Sequence, residues 1–275
     1  MSHPTRDETL SLLRWLLQAG ADEAIAEQPI DRLARAEPSP LLQARKGAST
    51  LPQGEGRISF NAKAAQAVSL STAPGAARAL SASCTTLAEL RTALGNFDGC
   101  ELKRTAKNTV FADGTPALGI MLIGEAPGRD EDEQGLPFVG RAGQLLDRML
   151  AEIGLDRSKV YITNVLNWRP PQNRDPSPEE AAACLPFLHR HIELADPKLL
   201  ILLGAVSVRH VLGLTDGILR LRGNWQLYQN GQLGRAIPAM PTLHPAYLLR
   251  QTAAKRLAWR DFLTISDKVT ELGLA

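Results

Sequence analysis

The sequence predicts an α/β fold in three layers, a central four-stranded parallel sheet between helices, and two observations predict it. From Gly119 onward four short apolar runs, "IMLIG", "VYITNV", "LLILLG" and "AIPAMPTLHP", alternate with helix-period segments, the pattern of a parallel sheet covered on both faces. Polar residues suited to chemistry follow those runs, where ligands bind in such sheets, beyond the carboxyl ends of the strands. The loops starting at Gly124, Asn164, Gly204 and His244 are therefore expected to converge on one site.

Taken in chain order, residues 7–27 space Leu10, Leu13 and Leu17 as a short amphipathic helix, so residues 1–36 read as an N-terminal helical segment. Residues 37–83 are rich in Ala, Ser, Gly, Pro and Gln with few large apolar side chains. Such a composition buries too little to offset its ordering entropy, and predicts a flexible linker. In "TTLAELRTALGNF", Leu87, Leu90, Leu94 and Phe97 share one helical face and Thr85 or Thr86 can cap the start. The folded domain is placed at residues 84–275. Within it "AGQLLDRMLAEIG", "PEEAAACLPFLHRHIELA", "AVSVRHVLG" and "KRLAWRDFLTISDKV" supply the helices between and after the strands.

Composition narrows the function classes. A net charge of +2 means that any hold on a polyanion depends on local basic patches rather than on the overall field. Three scattered cysteines, Cys84, Cys100 and Cys184, do not make a secreted disulfide framework and suit a reducing compartment. The apolar runs fall short of a membrane span, and "MSHPTRDE" lacks the basic start and apolar middle of a signal peptide. A cytoplasmic protein with no membrane partner is expected.

Glu125 and Glu131 in the first loop, Asn164 at the end of the second strand and His244 after the last offer a water activator, a two-way hydrogen-bonding reader and a donor for a developing oxyanion. The acids Asp130, Asp132 and Glu133 have an equally good reading as solvated or helix-start charges.

The stretches "GEAPGRDEDEQGLPFVGRAG", "YITNVLNWRPPQNRDPSPEEAAAC" and "HPAYLLR", in that order, resemble the family 4 uracil-DNA glycosylases of bacteria and archaea, from about Thr85 to the C-terminus. The resemblance implies hydrolysis of the N-glycosidic bond of uracil in single- or double-stranded DNA by a monofunctional enzyme, leaving an abasic site. It places Phe138 as the ring that stacks on the extruded base, Asn164 as the amide that reads its edge, and His244 against the uracil carbonyl oxygen that gathers charge. Glu125 and Glu131 match the two family acids. Glu131 is taken as water activator and Glu125 as second acid and pocket wall, beside Gly124, Ala126, Gly128 and Asn173 in the substrate pocket. Gly128 leaves no bulky aromatic where one superfamily branch excludes the thymine methyl, so that selectivity falls to another wall. Arg141, Arg169, Arg174 and Arg250, with Lys255 and Arg256, are candidate DNA contacts, as are the backbone amides of "GEAPG" and "GAVS", and Leu248 matches the wedge that fills the gap left by the flipped nucleotide.

The chain departs from the family at its iron–sulfur cluster. Cys100 and Cys184 stand at the second and fourth ligand positions, with Phe97 and Trp168 at the first and third. Two thiolates do not hold a four-iron cluster, so no metal or other cofactor is expected, and the two large apolar side chains are expected to fill its volume. A disulfide between the two cysteines is left open, and the chain is expected to act as a monomer on uracil-containing DNA. Two further readings remain alongside: a catalytically weak damaged-DNA-binding protein on the same scaffold, and a glycosylase with a wider range of deaminated bases.

Overall fold

The computed structural model describes residues 73–230 and 232–274. The N-terminal helix and the linker as far as residue 72 lie outside them.

Two short helices open the described chain, α1 (Ala73–Ala82) and α2 (Leu87–Asn96). Thr86 caps α2 by accepting from the Glu89 amide at 3.2 Å. The expected linker ends earlier than position 83, because α1 packs against the long helix α5 (Pro178–Ala195) and buries Ala73 and Ala77. Alanine-rich sequence there serves close helix contact rather than chain freedom. A capping box starts α5: Ser177 accepts from the Glu180 amide, and the Glu180 carboxylate accepts from the Ser177 amide.

The sheet contains the four expected parallel strands, β2 (Ile120–Gly124), β3 (Tyr161–Asn164), β4 (Leu199–Leu203) and β6 (Ala236–Thr242), in the order β3-β2-β4-β6. It is extended at each edge by an antiparallel strand that the sequence did not announce. These are the two-residue β1 (Asp113–Gly114) beside β3 and β5 (Gln226–Gln229) beside β6.

Alternation along β2 divides the core between the two faces. Ile120 and Leu122 join Leu146, Met149, Trp259 and Phe262, from α4 (Arg141–Ala151) and α9 (Lys255–Glu271). Met121 and Ile123 join Leu188, Ile192 and Val208, from α5 and α6 (Ala205–Leu212). A third cluster lies under α1, α2 and α5 and gathers Phe97, Cys100, Trp168, Cys184 and Phe187. Phe97 and Trp168 thus sit with both cysteines, and the Phe97 and Phe187 rings lie 5.1 Å apart. Its hydrogen bond with Cys100, and then burial, push the Cys184 thiol up. Two thiols in contact and two apolar rings do not fit a four-iron cluster.

Candidate active site

Beyond the carboxyl ends of β2 and β3 the chains stay zipped together. Val165 donates to the Gly124 carbonyl and Leu166 to that of Glu125, each at 3.0 Å. The two loops therefore leave the sheet side by side. With α8 (Pro245–Arg250), which follows β6, they wall a cavity of about 380 Å³, within the range of small-molecule sites. Glu125, Ala126, Gly128, Glu131, Phe138, Asn164, Asn173, Arg174, His244 and Arg250 all line it.

Gly124, expected in the pocket, is not among the lining residues; its bare Cα lies against the Asn164 and Phe138 side chains that are. A Cβ there would collide with Asn164 Oδ1 and would lie 2.5 Å from Phe138 Cζ, so amide and ring approach each other across the bare backbone. Asn164 is 2% exposed. Its Oδ1 is, among the described residues, the one buried side-chain nitrogen or oxygen atom without a partner. Leaving such an atom unpaired costs about 1–3 kcal/mol, a cost that a ligand bonding to it would remove.

His244 begins α8 and caps it. The Ala246 amide donates to His244 Nδ1 at 3.1 Å. A backbone N–H can only donate, so the neutral ring carries its proton on Nε2. Burial, with Arg250 adding to it, lowers the imidazole to about 4, which keeps the ring neutral at physiological pH. The Phe138 and His244 rings are 5.5 Å apart and inclined at 31°. Gly204 does not line the cavity: its Cα faces the His244 side chain, with an added Cβ 3.0 Å from His244 Cβ.

The two glutamates differ sharply. Glu131 Oε1 accepts from the Val139 and Gly140 amides at 2.9 and 2.8 Å, and Oε2 from Gly128 at 3.0 Å. It staples both ends of its own loop, and a Cβ on Gly128 would come within 2.7 Å of it. No such bond holds the Glu125 carboxylate among the described residues. Burial pushes it above the ordinary carboxylate range, Asp175 pushes further, and Arg209 and Arg250 oppose. The neighbouring acids are largely structural as well. Buried Asp132 accepts from the amides of Lys107 and Asn108, while Glu133 meets Lys107 at the surface.

Several basic and apolar expectations change. Leu248 is 0% exposed and lies in the core; the helical register turns Leu249, 36% exposed, outward instead. Lys255 is buried at 2% and is no surface contact. Arg174 is engaged by Glu180 at 2.8 and 2.5 Å. Arg169 is not among the lining residues and donates to Asn173 Oδ1 at 2.8 Å; Asn173 has a backbone φ of 54°. Arg141 and Arg256 are exposed outside the cavity wall.

Sequence reading missed three groups. Asp175 and Tyr247 line the cavity, and the signal for both was available in the motifs that contain them. Arg157 had none. It lies 19 residues from Phe138 in sequence, and its guanidinium donates to the Phe138 carbonyl and, at 3.2 Å, to that of Pro137.

The model of the uracil DNA glycosylase superfamily matches residues 111–263. The chain is 41% identical over 171 residues to the type-4 uracil-DNA glycosylase of Pyrobaculum aerophilum, a match covering 62% of this chain and 87% of the relative. With the protein so named from Archaeoglobus fulgidus it shares 41% over 172 residues, 61% and 85% of the two chains. With that of Thermotoga maritima it shares 43% over 152 residues, 55% and 77%.

Proposed function

The chain belongs to the uracil DNA glycosylase superfamily, and from that membership we propose that it is a DNA repair glycosylase, hydrolysing the N-glycosidic bond of uracil in DNA to leave an abasic site. The observation that carries the reading is the buried, unpartnered Oδ1 of Asn164 on the wall shared with Phe138 and His244. A uracil edge offers a donor at N3 and an acceptor at O4, and one amide answers both. The Phe138 ring restores to an extruded base part of the stacking that it loses on leaving the duplex.

As the glycosidic bond breaks, negative charge collects on the uracil O2. A neutral imidazole with Nε2–H available is suited to donate to it, and its bond strengthens as that charge grows, which is what lowers the barrier. We assign the attacking water to Glu125, since the Glu131 carboxylate is committed to three backbone amides. The negative charge of Glu125 also offsets the cationic character of the departing sugar. Leu249 replaces Leu248 as the side chain free to enter the duplex, and Arg250, beside it on the cavity rim, is placed to meet a phosphate. We take the chain to act as a monomer on this DNA. No described helix is long and apolar enough to cross a membrane, and we place the activity on cytoplasmic DNA.

The test is incubation with single- and double-stranded oligonucleotides carrying one uracil, followed by alkali. Strand scission is expected with the wild type and sharply reduced scission with His244→Ala. Tight binding without release of free uracil would reject the enzyme and leave a DNA-binding protein.

A further inference from the structure

Phe138 is one of four non-glycine described residues at positive φ, here 55°. For a bulky aromatic that conformation is strained and persists only where the surroundings over-determine it. The surroundings are specific. The peptide unit joining Phe138 to Val139 is gripped at both poles: its carbonyl accepts from Arg157 Nη2, and its N–H donates to Glu131 Oε1 at 2.9 Å. The second arm of the Arg157 fork takes the preceding carbonyl, Pro137, and the Asp113 carboxylate at 2.6 Å, while Nε meets Asp147 at 2.9 Å. Gly143 completes the seat, because a Cβ there would coincide with the Phe138 carbonyl.

We infer that Arg157 is a positioning residue for the base-stacking ring, acting with Glu131 as a two-sided clamp on the Phe138 peptide and anchored to the scaffold through β1 and α4. The inference rests on the proposed function for what the ring does, and on geometry for how it is held. A lysine cannot replace this arginine, because four acceptors in different directions need the planar fork rather than a point charge.

Two measurements decide it. The first is amide hydrogen exchange by NMR on wild type, Arg157→Lys and Arg157→Gln. Release of the clamp is expected to speed exchange at Val139 and Gly140 at least roughly tenfold, the equivalent of one charge-assisted bond, with Ile123 and Ile201 in the central strands unchanged. Equal exchange at Val139 and Gly140 in all three proteins overturns the clamp, and so does a uniform rise across the sheet.

The second is a double-mutant cycle with Phe138→Ala, reading single-turnover uracil release. Arg157→Gln is expected to slow release roughly tenfold when the ring is present, and to add nothing once the ring is gone. The same loss in both backgrounds would make Arg157 an ordinary stabilising residue. If the wild type releases no uracil, the proposed function fails by itself, and hydrogen exchange still decides the clamp.

Discussion

Replacing Asn164 with aspartate changes one atom and tests the edge-reading role directly. The wild-type amide presents an acceptor, Oδ1, that has no partner in the protein, and a donor, Nδ2, in a site 2% exposed. Aspartate retains the acceptor and turns the donor into a second acceptor. The bond to uracil O4 is lost, at about 1–3 kcal/mol, and a lone pair is left facing that oxygen. The Gly124 backbone and the Phe138 ring crowd one side of that carboxylate. Taken together these effects amount to about 3–4 kcal/mol, or roughly 10²–10³ in kcat/KM, since each 1.4 kcal/mol is about tenfold. Single-turnover excision from a uracil oligonucleotide, read by alkaline cleavage, measures it. Thermal melting should fall as well, since the substitution leaves an unpartnered carboxylate in a site 2% exposed, so the excision rate is read well below the melting temperature of the variant. An excision rate within about threefold of wild type would refute the argument, for a lost donor in a dry site cannot cost so little.

Three other outcomes are expected. Leu248→Ala should lose about 2–5 kcal/mol of stability in urea unfolding through an unfilled cavity, whereas Leu249→Ala should leave stability within about 0.5 kcal/mol and weaken excision from duplex DNA more than from single strands. Stability should fall on acidification: His191, buried against Phe111 and Tyr161, is lowered to about 3, and His244 to about 4, both by burial. The folded chain binds fewer protons than the unfolded one below about pH 6.5, so the stability present above that value is withdrawn as pH drops toward the folded values. For His191 alone the loss is about 3 kcal/mol by about pH 4, and urea melts of His191→Gln should show a flatter pH dependence. Iron and sulfide analysis of anaerobically purified protein should find no stoichiometric cluster, because Phe97 and Trp168 lie with the two thiols in one packed apolar cluster.

The parallel core was legible because "IMLIG" and "LLILLG" are buried on both faces and so read as unbroken apolar runs. The edge strands were not. Asp113–Gly114 is two residues long, and "QLYQ" has a polar residue at each end with Leu227 turned to solvent; both owe their extended form to the neighbour they pair with. Alanine-rich α1 was hidden in the same way, since its small side chains signal linker until a partner helix is supplied. At the site, residue types and their loops could be read from sequence, because motif spacing fixes which strand end carries them. How each group is engaged could not. Nothing in "GRDEDEQG" says that Glu131 bonds three amides while Glu125 bonds none among the described residues, and a one-residue helical register separates Leu248 in the core from Leu249 at the surface. Arg157 depends wholly on tertiary proximity, without any local pattern.

The bare Cα of Gly124 couples two properties that a binding pocket would ordinarily vary one at a time. The Asn164 amide and the Phe138 ring rest against the same missing methyl, so even the smallest replacement displaces both together. Adaptation toward a different base therefore has no route through this position alone.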